Sequence, residues 1–239
     1  MKYLILLLLL TSINTYSKES STKYNKEALE APKVALEHLP YIKYKNEENI
    51  SNFSSINTDK AKWFFSDKII AIPVSSNLSE KLILKTKSLT DKSLLATQFL
   101  NIDANKVEAL SIDIKNNANN PCYLQIQLFD DDNKNEVIEV YKEYPSIISQ
   151  DDKFIYTISL KPDEEKTFQI PINYFYDDNP NHGDNLWNPN QINGSGGLIQ
   201  MQLLFFLLNK QKKDHKIDVI ISKISFLSNK ERIYNTGRR

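Results

Sequence analysis

The stretch that decides the fold is VEALSIDIKN at residues 107–116, followed closely by CYLQIQLF at residues 122–129. In the first, Leu110, Ile112 and Ile114 fall on one side of an extended chain, and Ala109, Ser111, Asp113 and Lys115 on the other. In the second, Leu124, Ile126 and Leu128 alternate with Tyr123, Gln125, Gln127 and Phe129. Successive side chains of a β-strand point to opposite faces. A two-residue period of apolar and polar residues therefore sets one face on a core and the other in water, as in an antiparallel sandwich.

Outward from this pair, segments rich in Ile, Leu, Phe, Tyr and Val recur between clusters of Asn, Asp, Ser, Pro and Lys. This rhythm predicts strands at 61–66, 69–74, 81–87, 93–102, 107–115, 122–129, 136–144, 153–160, 167–173, 198–208 and 217–227. The chain has only five glycines, so tight primed hairpin turns should be few. Asn and Asp serve the turns instead, since both tolerate left-handed backbone. No internal repeat is visible.

Residues 198–208 carry a heavier load of apolar side chains. Ile199, Met201, Leu203, Phe205 and Leu207 are expected to form one continuous core face. The opposite face begins polar at Gln200 and Gln202 and turns apolar at Leu204, Phe206 and Leu208. Gly196-Gly197 before the run and Asn209 with a lysine cluster after it favour a strand over a helix. Apolar residues on both faces mark a central strand that is covered on both sides over part of its length. The polar segment near the N-terminus is one candidate cover; a protein partner docked on Leu204, Phe206 and Leu208 is the alternative.

The 239 residues suit one β-sandwich with short appendages. Met1-Lys2, the apolar run 3–10 and the small polar residues 11–17 follow the order of a secretory signal, with a cut expected between Ser17 and Lys18. The alternative is an uncleaved anchor, although the run is shorter than the ~20 residues that span a bilayer. No cysteine follows the run to accept a lipid. The expected layout is a signal peptide at 1–17 and a polar, partly helical segment at 18–50. The β-sandwich follows at 51–230, with a tail at 231–239. Export to the periplasm or the cell exterior follows, with no membrane span once the signal is removed.

Thirty basic and thirty acidic residues cancel, so no net field draws the protein to nucleic acid or an anionic bilayer. With 41% hydrophobic and 25% charged residues the composition is globular. The one cysteine, Cys122, opens an apolar strand pattern and reads as a small buried hydrophobe. His38, His182 and His215 are isolated in sequence and have no zinc-ligand spacing.

The order of core patterns resembles the galactose-binding-like jelly rolls that serve as carbohydrate-binding modules, such as those accompanying agarases and other secreted glycoside hydrolases. The patterns that carry this are Lys62-Trp63-Phe64, Lys81-Leu82-Ile83-Leu84, the two stretches above, Thr167-Phe168-Gln169-Ile170 with Phe175, and 217–226. The resemblance covers about residues 50 to 229. It implies a non-catalytic glycan binder, often with a structural calcium ion, whose ligand lies on a sheet face or on the loops at one end. No catalytic domain accompanies the module here, so a stand-alone binder is expected.

Glycans are held by flat apolar plates against their C–H groups and by amides or carboxylates that reach their hydroxyls. The expected wet sheet face offers Tyr123, Gln125, Gln127, Gln200 and Gln202, with Asp113 and Lys115 as neighbours. The long connection 174–197 offers Trp187, either as a stacking plate or as a plug for the end of the sandwich. Calcium wants six to eight oxygens, and Asp177 with Asp178 are the candidate ligands. The run Asp130-Asp131-Asp132 is a second source. An envelope interaction protein, and a glycan-degrading enzyme built on paired carboxylates, are the alternative functions. No hydrolase or lyase signature is present.

Overall fold

The computed structural model describes residues 42–51, 53, 63–76, 79–140, 148–192, 196–208 and 214–230. The expected signal peptide, most of the 18–50 segment and the tail at 231–239 lie outside the described residues. The strands are β1 (Tyr44–Asn49), β2 (Trp63–Phe65), β3 (Ile69–Ser75), β4 (Glu80–Thr86), β5 (Ser93–Ile102) and β6 (Ala109–Asn116). They continue with β7 (Cys122–Asp131), β8 (Asp152–Leu160), β9 (Glu165–Pro171), β10 (Tyr176–Asp177), β11 (Gly197–Phe206) and β12 (Asp218–Lys230). No helix among the described residues is long and apolar enough to cross a membrane.

Two six-stranded antiparallel sheets form the sandwich. The first runs β3-β4-β12-β6-β9, and the second β10-β8-β7-β11-β5-β2. β12 is long enough to serve two neighbours on one side. Its first residues pair with β4, from Asp218↔Lys85 to Ile221↔Leu82, and its last with β1, from Ser225↔Asn49 onward. The faces turned toward each other carry Leu110, Ile112 and Phe226 from the first sheet and Leu124, Ile126 and Phe205 from the second, all in one buried core. Burying such side chains is worth roughly 1.5–3 kcal/mol each. The alternation read at 107–116 and 122–129 thus sets both layers.

Four local departures from the expected pattern have physical causes. β1 lies inside the segment read as a polar leader. Its sequence YKNEEN is mostly exposed, and it is held by backbone pairing to β12 rather than by a buried stripe. Residues 136–140, expected to begin a strand, form a loop with a single bridge, Val140↔Ile148; residues 141–147 lie outside the described residues. Here Asp131 accepts the backbone N–H groups of Asn133, Lys134 and Glu136 at 3.1, 2.7 and 2.7 Å. The chain curls around that carboxylate, with Lys134 and Glu136 in left-handed backbone (φ 62° and 58°). In β11 the register shifts between Leu198 and Gln200. This bulge sends Leu198 into the main core and Ile199 into a second cluster with Phe129, Ile138 and Ile148. Ile199 therefore leaves the core face expected for it. A second bulge in β12, between Ile221 and Lys223, likewise switches the inward positions from Val219 and Ile221 to Ile224 and Phe226.

The first sheet ends at β3, which pairs with β4 alone among the described strands. Its outward residues Ile70, Ile72 and Val74 are each 42% exposed, and Pro73 lies between them.

Cys122 is fully buried, and burial pushes its thiol up to about 12. Free cysteine titrates near 8.5, so burial strongly suppresses the native thiolate at neutral pH. Alkylation by iodoacetamide is expected to be more than about a hundredfold slower in the native protein than in urea. Equal rates would contradict the burial.

Candidate functional site

The outer face of the second sheet is built by cross-strand pairs. Gln127 of β7 sits opposite Gln202 of β11, Gln125 opposite Leu204, and Tyr123 opposite Phe206. On the flanks, Gln202 meets Thr97 of β5 and Gln125 meets Thr157 of β8. Directly opposed side chains on one face lie about 5 Å apart, so each pair makes contact. Gln127 Nε2 donates to Gln125 Oε1 at 2.7 Å. The rings of Tyr123 and Phe206 stack at 5.5 Å with 20° between their planes. Phe64 and Phe99 meet edge to face at 5.3 Å on the β2–β5 side. Gln200 Nε2 and Thr157 Oγ1 are buried and have no hydrogen-bond partner among the described residues.

The expected glutamines thus converge on one face, but that face is not wet. Gln125, Gln127, Gln200 and Gln202 are 9%, 7%, 2% and 7% exposed. The two-residue period says which way a side chain points. It does not say how closely neighbours on flanking strands crowd it, and these central strands are flanked by Leu95, Ile155 and Phe206, all buried. Tyr123, Thr157, Leu204, Phe64 and Phe99 are partly exposed and frame the amides. Asp113 and Lys115, expected as neighbours, belong to β6 in the other sheet. There Asp113 accepts the Thr167 hydroxyl at 2.6 Å and Lys115 pairs with Glu165 at 3.7 Å. Of the patch read as a protein contact, Phe206 is buried under Tyr123, Leu204 shares the amide face, and Leu208 is 41% exposed. Thr97, Thr157 and Phe99 were missed, although alternation in 93–102 places Leu95, Thr97 and Phe99 on one face.

Trp187 takes the plug position. It packs against the main core, edge to face on Phe154 at 5.4 Å and 81°, with its indole N–H unpartnered. A half-buried ring held by Phe154 has little face to offer a sugar. Asp178 pairs with Lys153 at 2.6 Å, and Asp177 accepts the N–H of Asn179 at 2.8 Å. Asp178 is thus ion-paired, while Asp177 lies close enough to Asp152 for its charge to raise that carboxyl.

A different set of acids converges at this end of the sandwich. Asp132 leaves the end of β7, Asp152 opens β8 and Asp184 comes from the connection between β10 and β11. One carboxylate oxygen from each lies within 4.8 Å of the other two. Burial, and then the neighbouring carboxylate of Asp184, push Asp132 up to about 6. Burial followed by the charges of Asp132, Asp177 and Asp184 raises Asp152 to about 7. Asp130, fully buried, is raised to about 8 by burial and by Asp132, with the N–H of Asn188 pulling the other way. Asp151 is pushed well up by burial beside Glu139. The donor set fits calcium: it is all oxygen, rich in carboxylate, and closely spaced. The side-chain oxygens Asp130 Oδ1, Asp152 Oδ1 and Asn188 Oδ1 are buried without a hydrogen-bond partner among the described residues.

The sequence matches no protein-family model and no curated protein. Among solved structures, the chain is similar to the family 11 carbohydrate-binding module of Clostridium thermocellum in complex with a β-1,3-1,4-mixed-linked tetrasaccharide. Identity is 14%, 78% of this chain and 98% of that chain are covered, and the TM-score is 0.50. The family 11 module of a cellulosomal cellulase from the same organism aligns at 15% identity over 79% of this chain and 98% of that one, TM-score 0.49. An agarase aligns at 12% identity over 77% of this chain and 25% of its own, TM-score 0.48. At these identities the likeness is one of architecture. The chain is an antiparallel β-sandwich that shares its fold with the family 11 carbohydrate-binding module.

Proposed function

We propose that this is an exported, non-catalytic glycan-binding protein whose ligand lies on the outer face of the β10-β8-β7-β11-β5-β2 sheet. The observation that carries the reading is the row of Gln125, Gln127 and Gln202, each with an edge at the surface and framed by the partly exposed Tyr123, Thr157 and Leu204. Amides turned outward from a sheet are costly when dry and unpaired. Sugar hydroxyls donate and accept, and match such a row. The Tyr123–Phe206 stack supplies the apolar plate at one end of it. The solved module of similar architecture carries a mixed-linked tetrasaccharide, which makes a β-glucan oligosaccharide the first ligand to try. Export rests on the signal-like residues 1–17. N-terminal sequencing of the protein from the extracytoplasmic fraction, beginning at Lys18, would support it.

Calorimetric titration over a panel of oligosaccharides tests the binding. The paired change Gln125→Ala and Gln127→Ala removes hydrogen bonds worth about 0.5–1.5 kcal/mol each. Affinity should fall by roughly 5–100-fold. Tyr123→Ala should weaken binding by a similar factor, while Trp187→Ala should lower the melting point and leave the affinity of the folded fraction in place. Unchanged affinity in both face variants would remove the site. Release of reducing ends from a bound glycan would replace binding by hydrolysis.

A further inference from the structure

We propose that Asp132, Asp152 and Asp184 jointly bind one calcium-class divalent cation, which fastens the 178–190 connection onto the paired ends of β7 and β8. This inference does not rest on the glycan reading.

The geometry carries it. A cation held about 2.4 Å from two oxygens keeps them no more than about 4.8 Å apart, and the three carboxylates meet that limit mutually. They come from three separate parts of the chain, so the spacing is a product of the fold. The hydrogen bonds given to these carboxylates come from neutral groups. Asp184 N–H donates to Asp132 Oδ2 at 3.2 Å, and Leu186 N–H donates to Asp152 Oδ2 at 3.1 Å. Asn188 Nδ2 donates to Asp184 Oδ2 at 2.8 Å. Lys153 is taken by Asp178.

A second observation points to the same place. Asp152 is fully buried, and its Oδ1 has no hydrogen-bond partner among the described residues. Asp130 faces Asp152 directly across the β7–β8 pair, is also fully buried, and likewise has an unpartnered Oδ1. A buried carboxylate without a donor is costly unless something positive completes it. Gly183 shows how tightly the connection closes over these groups. At φ 65°, a Cβ on it would collide with Asp152 Oδ1 and Asp132 Oδ2. The upward shifts of Asp132 and Asp152 agree with a centre that lacks positive charge. Oxygen-only, carboxylate-rich coordination from a loop selects calcium over zinc, and over magnesium, which keeps its own waters.

The test uses the protein stripped of metal with EDTA, without any glycan. Calcium chloride titrated by calorimetry should give a saturable one-site isotherm. At a hundredfold excess over the dissociation constant the melting midpoint should rise by roughly 5–10 °C. Asp184→Asn and Asp152→Asn should each weaken calcium binding at least about tenfold. Asp152→Asn should also melt at or above the wild type in metal-free buffer. It removes a like charge and keeps an oxygen acceptor for the Leu186 N–H, whereas a purely structural Asp152 would lose stability with and without calcium. No heat and no midpoint shift up to about 10 mM, above the range of weak extracellular sites, would overturn the proposal. So would wild-type calcium affinity in both variants, or an equal response to magnesium. Failure of the wild-type protein to bind any oligosaccharide in the separate glycan titration, with calcium binding intact, would count against the glycan reading alone.

Discussion

Replacing Phe205 with alanine is expected to destabilise the fold by about 3–5 kcal/mol. Phe205 lies in the middle of the second sheet, with Leu94 of β5 on one side and Leu124 of β7 on the other, and it is fully buried. The cost has two parts, the apolar surface returned to water and the void that flanking strands cannot close. Leu124 is laddered to β11 and β8 on both sides and Leu94 is laddered to β11, so little collapse is available. A domain of this size loses about 2–4 °C of melting temperature per kcal/mol, so a drop on the order of 10 °C or more should appear in a calorimetric scan. Phe205→Leu should recover most of it. A loss under about 1 kcal/mol would mean that the two sheets are not packed as described.

The second large effect is polar. Asn116 ends β6 in a fully buried position, and its Nδ2 faces the carbonyls of Asn120, Lys161 and Leu160 at 2.9, 3.0 and 3.4 Å. Its Oδ1 accepts the N–H of Ala118 at 3.1 Å. One amide thus ties the connection between β6 and β7 to the end of β8. Alanine would strand several buried backbone groups at about 1–3 kcal/mol each, partly relieved by entering water, for a net loss of about 3 kcal/mol. Asn116→Asp should be at least as costly, because it turns a carboxylate toward carbonyl oxygens. Urea denaturation monitored by tryptophan fluorescence reads both changes. Near wild-type midpoints for both would show that the hub is dispensable.

What the sequence made legible follows from where periodicity is strong. Leu110, Ile112 and Ile114 and then Leu124, Ile126 and Leu128 alternate without interruption, and these strands fall where the pattern put them. Ile199 did not, because a bulge adds a residue and leaves no mark in hydrophobicity. β1 was silent because a strand that buries almost nothing has no apolar stripe to read. The glutamines were found, since direction is encoded locally, but their burial depends on neighbours from flanking strands. Asp132 stood out as part of an acidic run, while Asp152 did not. No spacing rule joins residues that meet only after β7, β8 and the 178–190 connection have closed on one another.

Pro73 has a consequence for how copies of this protein meet. A proline offers no amide hydrogen, so a foreign strand laid along the side of β3 that no described strand covers finds a missing donor among its seven residues. Ile70, Ile72 and Val74 would otherwise make that margin adhesive. The interruption works against edge-to-edge addition of a second copy along that apolar border.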